Sequence, residues 1–373
     1  MQTSSPEYAF SEIREAEATR FIQSQGLTIA SIVLIPEGHN HVVFDILLAD
    51  GTPLIAKFKK PAADQGERRD SLFGGRLSLE REHALYTLVR EQAGLPAPKI
   101  RLKYDGGEAS FVLVEKLPGK LWDTYLAEKM YSRASFLQSL EYLGRDIAKA
   151  QRVRFESFGD IMDAQTILPP GIKNFAIRFM GIMEMRLKRA GQRGVLRGTE
   201  LEQVRRYFRK NCADLETGLG GEKVRPVFVF TDMHAMNFLV DEQGEPTGYF
   251  DLESCQAAHP ALEFYGVKFF LFNYFNAETF RQAEEAFFRG FEQEEGRYDR
   301  ANPVNRRLEA LLATGRIMEL TESYYGVQDG IRDEWSHRFR ELLFDILGGK
   351  EVDYIAVSEI FRAKTRQPTQ PRG

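Results

Sequence analysis

The chain has 373 residues, 43% of them hydrophobic and 28% charged, with a formal net charge of −4. That balance fits a globular protein with a sizeable core and excludes a global basic field that would draw it to nucleic acid or a lipid surface. The only two cysteines, Cys212 and Cys255, and the six histidines lack metal-ligand spacing, which excludes a zinc site and points to a reduced, cytoplasmic protein.

The opening "MQTSSPEYAFSEIREAEATRFIQSQG" lacks the basic start and apolar core of a signal peptide and predicts an amphipathic helix near residues 7–24. "LTIASIVLI", "VVFDILLA" and "PLIAKFK" then read as strands, with "ADGTP" a hairpin turn between the last two. After the polar loop "KKPAADQGERRDSLFGG", the stretch "SLEREHALYTLVREQAG" has helical periodicity and ends at Gly94 with Pro96 beyond. "PKIRLKY" and "ASFVLVEKL", joined by "DGGE", complete a five-strand sheet with one inserted helix.

From Leu117-Pro118-Gly119 onward the pattern is helical, with helices predicted near 132–153, 172–190, 198–217, 261–273, 277–295, 301–326, 331–347 and 352–364. Only residues 226–251 are expected to interrupt them with short strands. The most apolar stretch, "VKFFLFNYF", is far shorter than the roughly 20 residues a membrane span requires. The expectation is an α+β bilobal fold. It has a helical extension over 1–26, a small antiparallel β-sheet lobe over 27–116, a large mainly α-helical lobe over 117–366 and a frayed tail over 367–373.

One segment of the helical half carries chemistry: "FTDMHAMNFLVDEQGEPTGYFDLE", from Phe230 to Glu253. Asp232 directly follows the apolar run "PVFVF", Asn237 opens the strand "FLV", and Asp251 ends the facing strand "TGYF". A hairpin with an amide oxygen and a carboxylate at its open end suits Mg²⁺, which takes few protein ligands and leaves positions for phosphates and water. Asp232 then remains to accept a proton from a hydroxyl. A base beside a metal pair is the equipment of phosphoryl transfer, where positioning and charge neutralisation do most of the catalysis.

A second constellation agrees. Lys57 interrupts the apolar strand "LIAKF", and a lysine turned into a core is costly unless paired. A phosphate and a helix glutamate would pair it, with Glu82 the candidate and Glu80 the alternative. In "PEGHNHVVF", Gly38 and Asn40 suit either a turn folding over phosphates or an ordinary hairpin.

These residues resemble the aminoglycoside phosphotransferase and choline kinase-like family, which shares the protein-kinase fold. The family's loop usually reads like His-Gly-Asp-Leu-His-Pro-Gly-Asn; here it reads Phe230-Thr231-Asp232-Met233-His234-Ala235-Met236-Asn237. The resemblance implies an ATP- and Mg²⁺-dependent kinase acting on a hydroxyl of a small molecule. Asp232 would be the base, Asn237 and Asp251 the metal ligands, Lys57 the phosphate-holding lysine and Glu82 its partner. "FVLVEKLPGKLW" resembles the hinge between lobes, so the backbone of Glu115 and Leu117 would meet the adenine. Phe230-Thr231 stands in place of the usual His-Gly, with Phe230 expected to brace the loop by packing. A catalytically impaired nucleotide-binding or scaffold relative is the alternative.

The segment after Asp251 passes straight to "HPALEFYG" without a long activation loop, which argues against a protein substrate. The expected acceptor is aminoglycoside-, amino alcohol- or sugar-like, and monomer and homodimer both fit. His234 is expected to brace its loop by hydrogen bonding, His39 and His41 to be exposed, Cys255 to be a small packing residue, and Glu253 to fix the loop or, as the alternative, to bind the metal through water.

Overall fold

Alternation in the first strands gives the sheet two faces. In a computed structural model, which describes residues 13–35, 41–59, 79–106, 109–220, 224–272, 275–327 and 331–362, the strands are β1 (Ile29–Ile35), β2 (His41–Leu48), β3 (Pro53–Lys59), β4 (Ile100–Asp105) and β5 (Ser110–Glu115). They form one antiparallel sheet in the order β1-β2-β3-β5-β4. Val42, Phe44, Ile46, Leu54, Ala56 and Phe58 share one face and close on Ala18 and Ile22 of α1 (Glu15–Gln23), making a core of their own. Lys57 falls on the opposite face, across from Val43 on one side and Val112 on the other.

That second face looks toward α2 (Leu79–Glu91) and the helical lobe. On α2 the buried residues are Arg81, Glu82, Leu85, Tyr86, Leu88 and Val89, a helical stripe that runs through two opposite charges.

The large lobe holds α3 (Trp122–Glu128), α4 (Arg133–Ala150), α5 (Phe175–Arg193), α6 (Gly198–Gly220), α7 (Ala261–Phe270), α8 (Ala277–Gln293), α9 (Pro303–Tyr324), α10 (Ile331–Leu347) and α11 (Tyr354–Arg362). Local signals fix several ends. Asn174 and Asn276 cap α5 and α8 by accepting the Ala176 and Thr279 N–H groups, and Pro303 opens α9 after the cap Asn302. Helices α4 and α8 meet backbone to backbone through Gly144 and Gly290, where an added Cβ would lie 2.0 Å from the Phe287 carbonyl oxygen and 1.9 Å from that of Glu141. Only glycine permits that approach.

Short strands interrupt the helices beyond the segment expected from the sequence. β6 (Lys120–Leu121) joins the hairpin of β10 (Phe238–Val240) and β11 (Pro246–Tyr249) in the order β11-β10-β6. β7 (Gly159–Ile161), β8 (Ile167–Leu168), β9 (Val227–Val229) and β12 (Gln256–Ala258) form a second sheet in the order β8-β7-β12-β9. Ribbons of two or three residues are held by their partners and show no period of their own, which is why the sequence reading missed β6, β7, β8, β12 and the short α3. No helix among the described residues is long and apolar enough to cross a membrane.

Candidate active site

Two loops between the small sheets carry the polar residues. Buried β9 leads to Phe230, and the chain then turns through Thr231 at φ 58°. This left-handed conformation is one a β-branched residue rarely adopts. The turn is anchored at each step. The Phe230 N–H donates to Glu263 Oε2 at 2.8 Å, and the Thr231 hydroxyl donates to the Ser254 carbonyl at 2.7 Å. Asn237 Nδ2 donates to the Asp232 carbonyl at 2.8 Å. The Phe230 ring sits 5.1 Å from both Phe228 and Tyr249, so aromatic packing occupies the place where a histidine would bond.

Asp232 is left facing outward, its side chain 39% exposed, with His234 Nε2 at 3.8 Å from Oδ2. His234 Nδ1 accepts the Met236 N–H at 3.2 Å, which gives the ring a local bracing role.

The β10–β11 hairpin brings the other two residues together. Phe238 pairs with Tyr249, and the Phe250 N–H donates to the Asn237 carbonyl at 3.3 Å, placing Asn237 and Asp251 at the open end. Asp251 is left-handed at φ 58°, ψ 44°, and a single 3₁₀ turn, Leu252–Ser254, follows. Non-glycine residues held in this region concentrate at functional sites.

Lys57 completes the arrangement from the small lobe. Its ammonium lies 2.6 and 2.7 Å from the two Glu82 oxygens and 3.1 Å from Asp251 Oδ1. Tyr86 donates to Glu82 Oε1 and accepts the Asp251 N–H at 3.4 Å, linking the two acids through one phenol. Burial works to lower the Lys57 pKa, but the charges of Glu82 and Asp251 outweigh it and hold it well above the ordinary lysine value. Burial pushes Asp251 upward, while the Lys57 charge and hydrogen bond, helped by His41 and His234, keep it below the usual carboxylate range. Lysine and carboxylate are therefore both ionised at neutral pH.

The donor set suits a hard divalent cation. Asn237 spends its amide N–H on the Asp232 carbonyl, so its oxygen stays available, and ionised Asp251 is 41% exposed on its side chain. No group of three or more His, Cys, Asp or Glu side chains among the described residues could hold a metal.

Other expected residues are placed as follows. Glu115 ends β5, and the Leu117 N–H donates to no backbone carbonyl among the described residues. Gly38, Asn40 and His39, and the side chain of Glu80, lie outside the described residues. His41, expected on the surface, is instead buried, with Nε2 3.9 Å from Glu253 Oε2, because its place on β2 turns it to the Lys57 face. Cys255 is buried with its thiol 3.6 Å from the Phe230 carbonyl, and Glu253 is buried as well.

Arg81, Tyr86 and Glu263 escaped the sequence reading. The available signal was the position of Arg81 and Tyr86 on the apolar stripe of α2 and of Glu263 within the aromatic α7. Burial raises Glu263 to about 8, against the lowering effect of the Phe230 N–H bond.

No curated protein matches the chain in sequence. Among solved structures it is similar to a protein assigned as a fructosamine-3-kinase from Thermobifida fusca, at 17% identity and TM-score 0.56 over 92% of this chain and 98% of that one. It is also similar to a macrolide 2'-phosphotransferase from Brachybacterium faecium, at 14% identity and TM-score 0.54 over 87% and 96% of the two chains. A point variant of aminoglycoside 2'-phosphotransferase IIIa, solved with GDP, gives 16% identity and TM-score 0.52 over 89% and 97%. These likenesses establish the bilobal kinase-like α+β fold. The model of the phosphotransferase enzyme family (APH) matches residues 31–303, across both lobes and every residue of the site just described, and the chain belongs to that family.

Proposed function

We propose that the protein transfers the γ-phosphoryl group of ATP, with Mg²⁺, to a hydroxyl of a small molecule. The observation that carries this reading is the meeting of Lys57, Glu82 and Asp251 beside the loop bearing Asp232 and Asn237. Lys57 is pre-oriented to hold nucleotide phosphates, since Glu82 fixes its ammonium and Tyr86 fixes Glu82. Asn237 and Asp251 would hold Mg²⁺, which when bound neutralises phosphate charge.

The Asp232 side chain is partly exposed, so an acceptor hydroxyl can reach it. Its carboxylate orients that hydroxyl and takes its proton as the oxygen attacks the γ-phosphorus and the bond to ADP breaks. Such proton transfer is worth roughly 10²–10⁴ in rate. The Leu117 N–H, which donates to no backbone carbonyl among the described residues, and the carbonyl of Glu115, whose own N–H donates to Lys99, would offer the adenine its hydrogen bonds. Phe270, whose ring lies 6.4 Å from that of His234, and Arg316, 5.4 Å above the Phe270 ring, stand near the acceptor side. The family supports a small-molecule acceptor, and the proposal takes it to be aminoglycoside-, amino alcohol- or sugar-like.

Mg·ATP-dependent ADP release across a panel of aminoglycosides, amino alcohols and sugars tests this reading, with the melting temperature under Mg·ATP as the binding control. Acceptor-dependent release supports it. The absence of both release and any Mg·ATP stabilisation would refute it, since a ligand of the native state must raise its stability.

A further inference from the structure

Next to Glu82 on α2, Arg81 crosses from the small lobe into the large one. It is 1% exposed. Its Nε donates to the Ile161 carbonyl at 2.7 Å, Nη1 to the Glu253 carbonyl at 2.5 Å, and Nη2 to the Cys255 carbonyl. The last two carbonyls lie in the middle of the 3₁₀ turn that follows Asp251 and at its C-terminal end, and Ile161 lies on β7.

A buried guanidinium is costly. Burial lowers the pKa of Arg81 despite the field of Asp160, which itself binds Arg178 at 2.9 Å. An apolar side chain would hold two lobes together at less expense, so three aimed N–H groups call for a positional reason. The planar fork of arginine satisfies three fixed carbonyls; an ammonium is a single point of charge and does not.

We propose that Arg81 is a positioning residue that fastens helix α2 to the Asp251 loop, so that Lys57, Glu82 and Asp251 are assembled before a ligand binds. Arg81 fixes the backbone on the C-terminal side of Asp251, where the left-handed residue would otherwise relax, and the same helix turn carries Glu82 to Lys57. Helix α2 is thereby held by both lobes, by the sheet through Lys57 and Glu82 and by the large lobe through Arg81. This inference rests on the phosphotransfer reading for its consequence, but its structural part stands apart from it.

The test uses the full chain with Arg81→Lys and Arg81→Met, and Leu343→Ala on α10 as a control matched for loss of melting temperature. Hydrogen exchange without ligand is the first readout. Wild type should open α2 and residues 252–256 together, whereas the Arg81 variants should expose both segments faster and at separate rates, with the rest of the large lobe unchanged. The second readout is the Mg²⁺ concentration giving half of the Mg·ADP stabilisation. It should rise about tenfold or more in Arg81→Lys, as for other residues that orient metal ligands, and stay at the wild-type value in the control.

Arg81 variants that match the control in both readouts would overturn the proposal. Wild type without any Mg·ADP stabilisation would instead count against the phosphotransfer reading, and hydrogen exchange would still decide the role of Arg81. Arg81→Lys, which keeps the charge, decides the matter should Arg81→Met fail to fold.

Discussion

Lys57 and Asp251, 194 residues apart in the chain, meet at 3.1 Å, and Glu82 holds the same ammonium at 2.6 Å. One positive charge thus faces two negative ones, and the trio keeps an excess negative charge suited to an incoming divalent cation. Breaking a buried pair by removing one partner costs about 3–5 kcal/mol, because the remaining charge is stranded. Lys57→Met should therefore lower stability substantially as well as abolish phosphate binding. Adding Glu82→Gln should restore much of the stability and none of the binding. Denaturant midpoints of the single and double variants check this, and a single variant as stable as wild type would show that the trio does not hold the lobes together.

Glu263 gives a dependence on pH. Its pKa is raised by burial from the ordinary 4.5 to about 8, so the folded state binds this proton more tightly than the unfolded one. The stability it contributes is full below the unfolded value and is lost as pH rises toward 8. The charged carboxylate would also pull differently on the Phe230 N–H it now receives at 2.8 Å. Glu263→Gln, which keeps an acceptor oxygen and cannot ionise, should flatten the fall in melting temperature between pH 5 and 9. An identical fall in both proteins would assign it to other groups.

Thr231 stands where the family usually has glycine, at φ 58°. Left-handed backbone costs an L-residue about 1–2 kcal/mol, offset here by the hydroxyl bond to Ser254. Thr231→Val keeps the strain and loses the bond, worth about 1 kcal/mol net. Thr231→Gly loses the bond and the strain together. Thermal melts should therefore rank glycine above valine, although glycine removes more atoms. The reverse order would mean that the side chain's packing outweighs its backbone strain.

The chemistry was legible in the sequence wherever a polar residue broke a local pattern. Lys57 stood out in an apolar strand, and Asp232, Asn237 and Asp251 stood out at the ends of short apolar runs. The long helices announced themselves through the helical pattern of their residues, while caps such as Asn276 and Asn302 came into view only in the structure. What stayed hidden depends on partners far along the chain. Arg81 meets carbonyls 80, 172 and 174 residues away, and Glu263 meets an N–H 33 residues back. His41 looked like a surface residue because its turn is polar, and only the register of β2 against β3 turns it inward.

Asp232 is the proposed proton acceptor of the transfer. The most direct measurement compares Asp232→Asn with wild type for acceptor-dependent ADP release and for the melting-temperature rise under Mg·ATP. Asp232→Asn should turn over more slowly by about 10²–10⁴ with an unchanged nucleotide-induced rise, since Asn keeps the shape and loses the proton acceptor. A variant that turns over at the wild-type rate would remove Asp232 from the chemistry and contradict the account.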